Sequence, residues 1–198
     1  MIKKIIITGG LGYIGTELCK IYSGVSWHHK IIVIDNRFIS ERVNQLRHWN
    51  MEFIHGDILD KELVKKYFKD ADIVHHLAGI TDVPRTKSET SDEKDKKIVL
   101  VGEKGTKNIL DTISDKCKII FPSTHVVYEG IDKVKNDIRE NEETKPVLSY
   151  ASSKAVNEKQ LKDSGKNYVI LRLGSVYGYS TDTARIDIMP NLFSKISS

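Results

Sequence analysis

The sequence predicts an α/β domain with a doubly wound, mostly parallel sheet. Three observations carry this. Short apolar, β-branched runs recur at regular intervals, helix-like stretches alternate with them, and the connections between them are short. Strand, helix, strand in that rhythm builds βαβ units with helices on both sheet faces.

The first strand is read at 5–8, directly behind the N-terminal lysines, and a glycine-rich turn leads into a helix over 12–22. A strand at 31–35, a helix at 40–48, a strand at 51–55 and a helix at 61–68 follow. The next strand, 73–77, precedes a long helix at 98–113; a strand at 118–123, a helix at 150–161 and a strand at 168–173 complete the pattern. The strands are continuous apolar runs, which predicts burial on both faces. Polar, charged segments at 84–97 and 129–147 follow strand ends. They are either loops over a ligand crevice or surface insertions. Residues 1–180 form one expected domain. Residues 181–198 are expected to begin a largely missing, truncated substrate-binding region, with no capped terminal helix and too few strands to finish the second half of the sheet.

The composition sets limits. The chain has 198 residues, 39% hydrophobic and 29% charged, enough for one domain with a real core. A net charge of +4, with lysines interspersed among acids, describes a solvated surface rather than a nucleic-acid footprint. Cys19 and Cys117 lack metal or CxxC spacing, and Cys19 falls within a helix as a small apolar residue. His28-His29 and His75-His76 lack acidic or cysteine partners at ligand spacing, so no metal site is expected. No apolar run is long enough to span a bilayer and no signal peptide is recognised, so a cytoplasmic, non-membrane protein is expected.

Chemistry enters with Gly9, Gly12 and Gly15, which form GxxGxxG between the first strand and first helix. The first glycine permits a tight turn, the second a close approach by a pyrophosphate, and the third close helix–sheet packing. The helix N-terminus offers free N–H groups and the positive end of its dipole to phosphates. Asp35 closes the second strand, where a carboxylate accepts from both adenosine ribose hydroxyls and repels a 2′-phosphate. That favours NAD over NADP, while Arg37 nearby weakens the discrimination. These features make the fold Rossmann-like.

Tyr150 and Lys154 form YxxxK at a helix start, one turn apart on one face. A free phenol, with a pKa of about 10, is a poor base near neutrality, and a nearby ammonium favours its ionised form. The pair could then take a proton from a substrate hydroxyl while hydride leaves the same carbon. Thr124, at the carboxyl end of a strand, could orient the reacting oxygen or simply cap the strand end.

The ordered motifs resemble the extended short-chain dehydrogenase/reductases, and within them the NAD-dependent epimerase/dehydratase group. They run from Gly9 to Gly15 through Asp35-Asn36, Gly56-Asp57-Ile58, His76-Leu77-Ala78-Gly79 and Gly105-Thr106-Lys107-Asn108. Ser123-Thr124, Val127-Tyr128, Tyr150 with Lys154, Leu171-Arg172 and Val176-Tyr177-Gly178 continue them. The resemblance implies an NAD site made by Gly9, Gly12, Tyr13, Ile14, Gly15, Asp35, Asn36, Asp57, Ile58, Leu77, Ala78, Gly79, Ser123, Tyr150, Lys154 and Leu173. Asp57 and Ile58 would flank the adenine, and Lys154 would also bind the nicotinamide ribose. It implies epimerisation of a nucleotide-sugar through a transient keto intermediate, with Tyr150 as base, Lys154 as support and Thr124 as orienter. His125 and Ser175 join Thr124 toward substrate, and a homodimer through the 98–113 and 150–161 helices is implied. A dehydrogenase or reductase of the same family, or a non-catalytic NAD-binding scaffold, are the alternatives.

Five positions depart from the family pattern. Its 4,6-dehydratases carry an Asp-Glu acid–base pair directly after the catalytic Thr, where this chain has His125 and Val126. A family Asn three residues before Gly-Thr is Gly102 here, a family Gly after Val-Tyr is Glu129, and a family Asn near the substrate phosphates is Ser175.

Overall fold

The computed structural model describes residues 1–81, 91–178, 180 and 189–197. Six parallel strands form one sheet in the order β3-β2-β1-β4-β5-β6. They are β1 (Lys4–Thr8), β2 (Lys30–Asp35), β3 (Glu52–His55), β4 (Ile73–His76), β5 (Lys118–Thr124) and β6 (Asn167–Leu173). This is the doubly wound dinucleotide-binding order, with its crossover between β1 and β4. The strand count expected to fall short is therefore the full six-strand set.

Period-2 alternation sorts the core into two layers. Ile5 and Ile7 of β1 point to one face and pack with Cys19 of α1 (Tyr13–Ser23) and with Val43 and Leu46 of α2 (Ser40–His48). Ile6 points to the other face, toward Val64 and Phe68 of α3 (Lys61–Phe68). Ile109 of α5 (Gly105–Leu110) and Leu161 of α6 (Ser149–Asp163) join that layer. The adjacent histidines divide in the same way. His75 meets the Tyr22 hydroxyl at 2.8 Å, and His76 lies between Thr8 (3.1 Å) and Thr106 (2.9 Å).

Three expectations are corrected. Burial on both faces holds for β1, β2 and most of β4, but β3 and β6 are sheet edges with half-exposed side chains. The segment expected to be a loop at 84–97 contains α4 (Asp92–Val99). The Ser91 hydroxyl caps it by accepting from the Lys94 N–H, three acids occupy its first turn and two lysines its last, so its ends suit the helix dipole. Residues 82–90 lie outside the described set. The third correction is α7 (Met189–Ser197), a terminal helix where none was expected, with Pro190 at its start. Asn191 Nδ2 donates to the Tyr13 hydroxyl at 3.3 Å, which ties α7 to α1. The boundary drawn at 180/181 opens onto residues 181–188, also outside the described set.

The 98–113 helix is segmented. α4 passes through a π-helical stretch, Leu100–Lys104, into α5. The 129–147 segment is irregular, as expected, and is fastened to the sheet edge: Arg172 donates to the Glu140 carbonyl at 3.0 Å and Tyr128 to that of Arg139 at 3.1 Å.

Two stability outcomes follow. Gly9 adopts φ +68°, and a Cβ there would lie 2.8 Å from the Ala78 nitrogen. Gly9→Ala should cost about 1–3 kcal/mol through backbone strain, read as a lowered urea midpoint at unchanged slope. Burial, then the Lys154 charge, push the His76 pKa down to about 3 from its ordinary 6.5. The unfolded chain therefore binds a proton that the folded one refuses. This contribution is fully present above pH 6.5 and is lost as pH falls toward 3, by up to about 1.4 kcal/mol per unit. The difference in unfolding free energy between wild type and His76→Gln should slope with pH across that window; parallel curves would refute it.

Candidate active site

The carboxyl ends of the strands open into one cleft of about 1480 Å³. Every residue expected to touch cofactor or substrate lines it, from Gly9 and Asp35 at one end to Tyr150, Lys154, Leu173 and Ser175 at the other.

At the β1 end, the glycine turn is held from below. Gly9 N–H donates to the Ile34 carbonyl at 2.8 Å, and Leu11 N–H to Asp35 Oδ2 at 3.0 Å. α1 then begins at Gly12 with no side chain capping it and no acid in its first turn. Its first N–H groups are left for an anion. Asp35 does two jobs: its Oδ1 also accepts from Arg37 N–H at 3.0 Å and Arg37 Nε at 3.3 Å. Arg37, which the sequence set against Asp35, is its ion-pair partner. Asn36 donates to Asp57 at 3.0 Å, drawing the ends of β2 and β3 together beside Ile58. A Cβ on Gly15 would collide with the Gly9 carbonyl, so the turn and the helix approach this closely only because both are glycine.

At the β5 end, strand lengths make the site. β5 pairs with β4 only as far as Ile120 but continues to Thr124. α6 reads that overhang in register. Lys154 Nζ donates to the Pro122 carbonyl at 2.8 Å, and Ser123 Oγ donates to Glu158 Oε1 at 2.6 Å. The ammonium lies 4.3 Å from the centre of the Phe121 ring and 5.9 Å from that of Tyr150. Burial pushes the Lys154 pKa down to about 8, against the opposing pull of Glu158. Thr124 is buried, and its oxygen accepts from Val126 N–H at 3.3 Å. It therefore caps the short helical turn His125–Tyr128 that follows β5, while the residue lines the cleft. His125 bonds through Nδ1 to the Leu173 carbonyl at 3.1 Å.

Sequence reasoning missed several residues here. Arg42 lines the cleft and donates to the Leu11 carbonyl. Lys94 and Lys97 line it from α4, the helix read as loop. Glu158 and Arg172 form a bidentate ion pair, with Nε–Oε1 at 2.9 Å and a second nitrogen–Oε2 bond at 2.6 Å. Glu158 follows Lys154 by the same four-residue step that separates Lys154 from Tyr150, a signal available in the sequence. Gly102 lies directly against Ser153, where a Cβ would collide with the serine hydroxyl. Its carbonyl accepts from Asn157 Nδ2 at 3.1 Å. Both cysteines are buried, which pushes their pKa values up to about 12 for Cys19 and about 11 for Cys117. Among the described residues, no group of three His, Cys, Asp or Glu is placed to hold a metal ion, and no helix is long and apolar enough to cross a membrane.

Comparison with known proteins adds identity to this geometry. The chain is 31% identical over 198 residues to a dTDP-D-glucose 4,6-dehydratase of Dictyostelium discoideum, covering 89% of this chain and 44% of that protein. It is 32% identical over 205 residues to a CDP-paratose 2-epimerase of Salmonella typhi, covering 88% and 58%. A UDP-glucuronic acid 4-epimerase of Bacillus cereus, solved with UDP-glucuronic acid and NAD, superimposes with a TM-score of 0.77 at 26% identity, covering 95% of this chain and 60% of that one. The chain thus spans about half the length of the curated relatives it matches. Residues 5–198 match the model of the NAD dependent epimerase/dehydratase family, and with its crossover cleft and YxxxK helix the chain belongs to that family.

Proposed function

We propose that this chain carries the NAD-binding and catalytic part of a nucleotide-sugar epimerase. The observation that carries the reading is the Tyr150–Lys154 pair on α6, lining a cleft with Thr124 at one end and an uncapped, glycine-flanked helix N-terminus at the other. At Gly9 and Gly15 a Cβ would strike neighbouring backbone, and the tight turn those glycines permit leaves the uncapped N-terminus of α1 facing the cleft, so the residues present fit a dinucleotide pyrophosphate. Gly9, Gly12, Tyr13, Ile14 and Gly15 would hold that group, with Asp35, Asn36, Asp57 and Ile58 at the adenosine end. Leu77, Ala78, Gly79, Ser123, Tyr150, Lys154 and Leu173 would surround the rest. NAD, when bound, supplies a reversible hydride acceptor for the sugar carbon.

The chain's own residues handle the proton. Thr124, its oxygen already accepting from Val126, donates its hydroxyl proton to the sugar oxygen and holds it toward Tyr150. Tyr150 takes that oxygen's proton as a carbonyl forms, and gives it back when the hydroxyl is restored. Lys154 lowers the cost of the phenolate by its charge, at a site where burial weakens screening. Turning the keto-sugar between the two steps inverts one centre.

Both epimerases and dehydratases appear among the relatives. The residues after Thr124 favour the former: valine at 126 cannot carry a proton, and water loss needs an acid and a base beyond Tyr150. His125 and Ser175 would meet the sugar or its phosphates from the cleft wall.

The test is incubation of the purified chain with NAD and a panel of UDP-, dTDP- and CDP-sugars, with products separated by chromatography. An isomeric sugar without net NADH change is expected. NADH consumption with a ketone substrate, and no isomer, would make it a reductase instead. Tyr150→Phe should lower turnover by at least about 10²-fold while leaving NAD affinity, measured by calorimetry, essentially intact. A Phe variant with wild-type turnover would remove Tyr150 from the mechanism. Because the Lys154 ammonium is present below about pH 8 and lost above it, activity should decline on the alkaline side of that value. In Lys154→Arg, whose guanidinium stays charged, the alkaline decline should move upward, whatever the loss in absolute rate.

A further inference from the structure

Glu158 is among the most buried charged groups of the molecule, at 2% exposure, and the chemistry above does not use it. Three groups surround its carboxylate. Ser123 donates to Oε1 at 2.6 Å, Arg172 grips both oxygens at 2.9 and 2.6 Å, and Lys162 stands 3.7 Å from Oε2. Burial alone would raise the Glu158 pKa, but the Arg172 and Ser123 hydrogen bonds and the Arg172 and Lys162 charges outweigh it, so the group stays ionised.

Its place in the fold is specific. Tyr150, Lys154 and Glu158 follow one another at four-residue steps along one side of α6. Lys154 and Glu158 bind consecutive residues of β5, Pro122 and Ser123, and Thr124 comes next. Arg172 stands opposite Ser123 in the β5–β6 ladder and reaches onward to the Tyr128 hydroxyl and the Glu140 carbonyl.

We infer that Glu158 is a positioning residue of this site: clamped between Ser123 and Arg172, its carboxylate docks α6 on the β5 overhang and holds Lys154 as an ammonium. This rests on the catalytic reading of Tyr150 and Lys154, but its test does not need turnover. The opposing influences are countable. On α6, Lys162 is paired to Glu158, and from β4 the neutral ring of His76 faces Lys154. From β6, Arg172 is bound to the carboxylate itself, and from α4, Lys94 and Lys97 line the outer cleft. Glu103 packs on α6 from the π-helical stretch, where burial raises its pKa. His125 lies beyond Thr124 at the cleft wall. Glu158 is the one of these whose charge raises the Lys154 pKa.

The experiment follows the ε-carbon of Lys154 by NMR in the 198-residue chain labelled with ¹³C-lysine, the resonance being assigned by its loss in Lys154→Arg. Wild type should titrate near pH 8. Glu158→Gln should titrate lower by about one pH unit. Glu158→Asp, which keeps the charge, should recover most of that shift. If Glu158→Gln leaves Arg172 so poorly paired that the chain does not fold, the double variant Glu158→Gln/Arg172→Gln removes both charges together, and it should also titrate below wild type. A folded variant without the carboxylate that titrates at the wild-type midpoint overturns the inference, as does Glu158→Asp titrating with Glu158→Gln. Failure of wild type to form any isomeric sugar would instead bear on the epimerase reading and leave this titration readable.

Discussion

The β5 end of the cleft depends on one expensive arrangement, a lysine ammonium held away from bulk water. Desolvation of a cation costs several kcal/mol unless other groups replace its hydration. Here a carbonyl accepts one proton at 2.8 Å and the face of Phe121 lies 4.3 Å away. The carbonyl belongs to a proline within a strand, an unusual place for that residue. It is tolerated because β4 has already ended, so on that side no ladder awaits the missing N–H. Difference in strand length, rather than any special loop, creates the ledge against which α6 sets Lys154 and Tyr150.

The same ledge explains what the amino-acid sequence revealed and what it hid. Short apolar, β-branched runs located all six strands to within a residue or so, because the inner strands are buried on both faces and the edge strands still carry apolar residues on the face that packs on the core. GxxGxxG and YxxxK were legible because each compresses a geometric need into a few neighbouring residues. β6 was misjudged: Tyr168, Val169, Ile170 and Leu171 read as core, yet they lie at a sheet edge, and edge position is a property of topology rather than composition. α4 was missed because seven of its eight residues before Val99 include only one apolar side chain, Ile98, so helical periodicity had nothing to count. Its real signal was local: a serine cap followed by acids and then lysines. The Glu158–Arg172 pair was hidden because its partners come from α6 and β6, fourteen residues apart, with no pattern linking them.

Asp35 shows how one side chain can brace the fold while lining the cleft. Its carboxylate already carries the Leu11 amide and Arg37. The first bond shapes the glycine turn; the second offsets charge at the β2 end of the cleft. A carboxylate oxygen has more than one lone pair, so hydrogen bonds to the chain do not exhaust its capacity for ribose hydroxyls. Arg37 is thus no simple opponent of NAD: bound to Asp35, it is partly spent in holding the acid in place.

Gly102 is the sharpest departure from the family pattern, and the structure gives it a physical reason. It lies in the π-helical stretch, where the wider turn disturbs the regular carbonyl–amide ladder. Its carbonyl is taken by Asn157 from α6, and the Ser153 hydroxyl occupies the room a side chain at 102 would need. A larger residue there would press on α6 one turn below Tyr150 and directly beside Lys154 in sequence. The missing side chain is therefore coupled to a close approach of the two helices. That approach holds α6 from the π-helical side through Ser153 and Asn157, while Glu158, the next residue, holds it to β5, so neighbouring residues of one helix fasten it to two different elements.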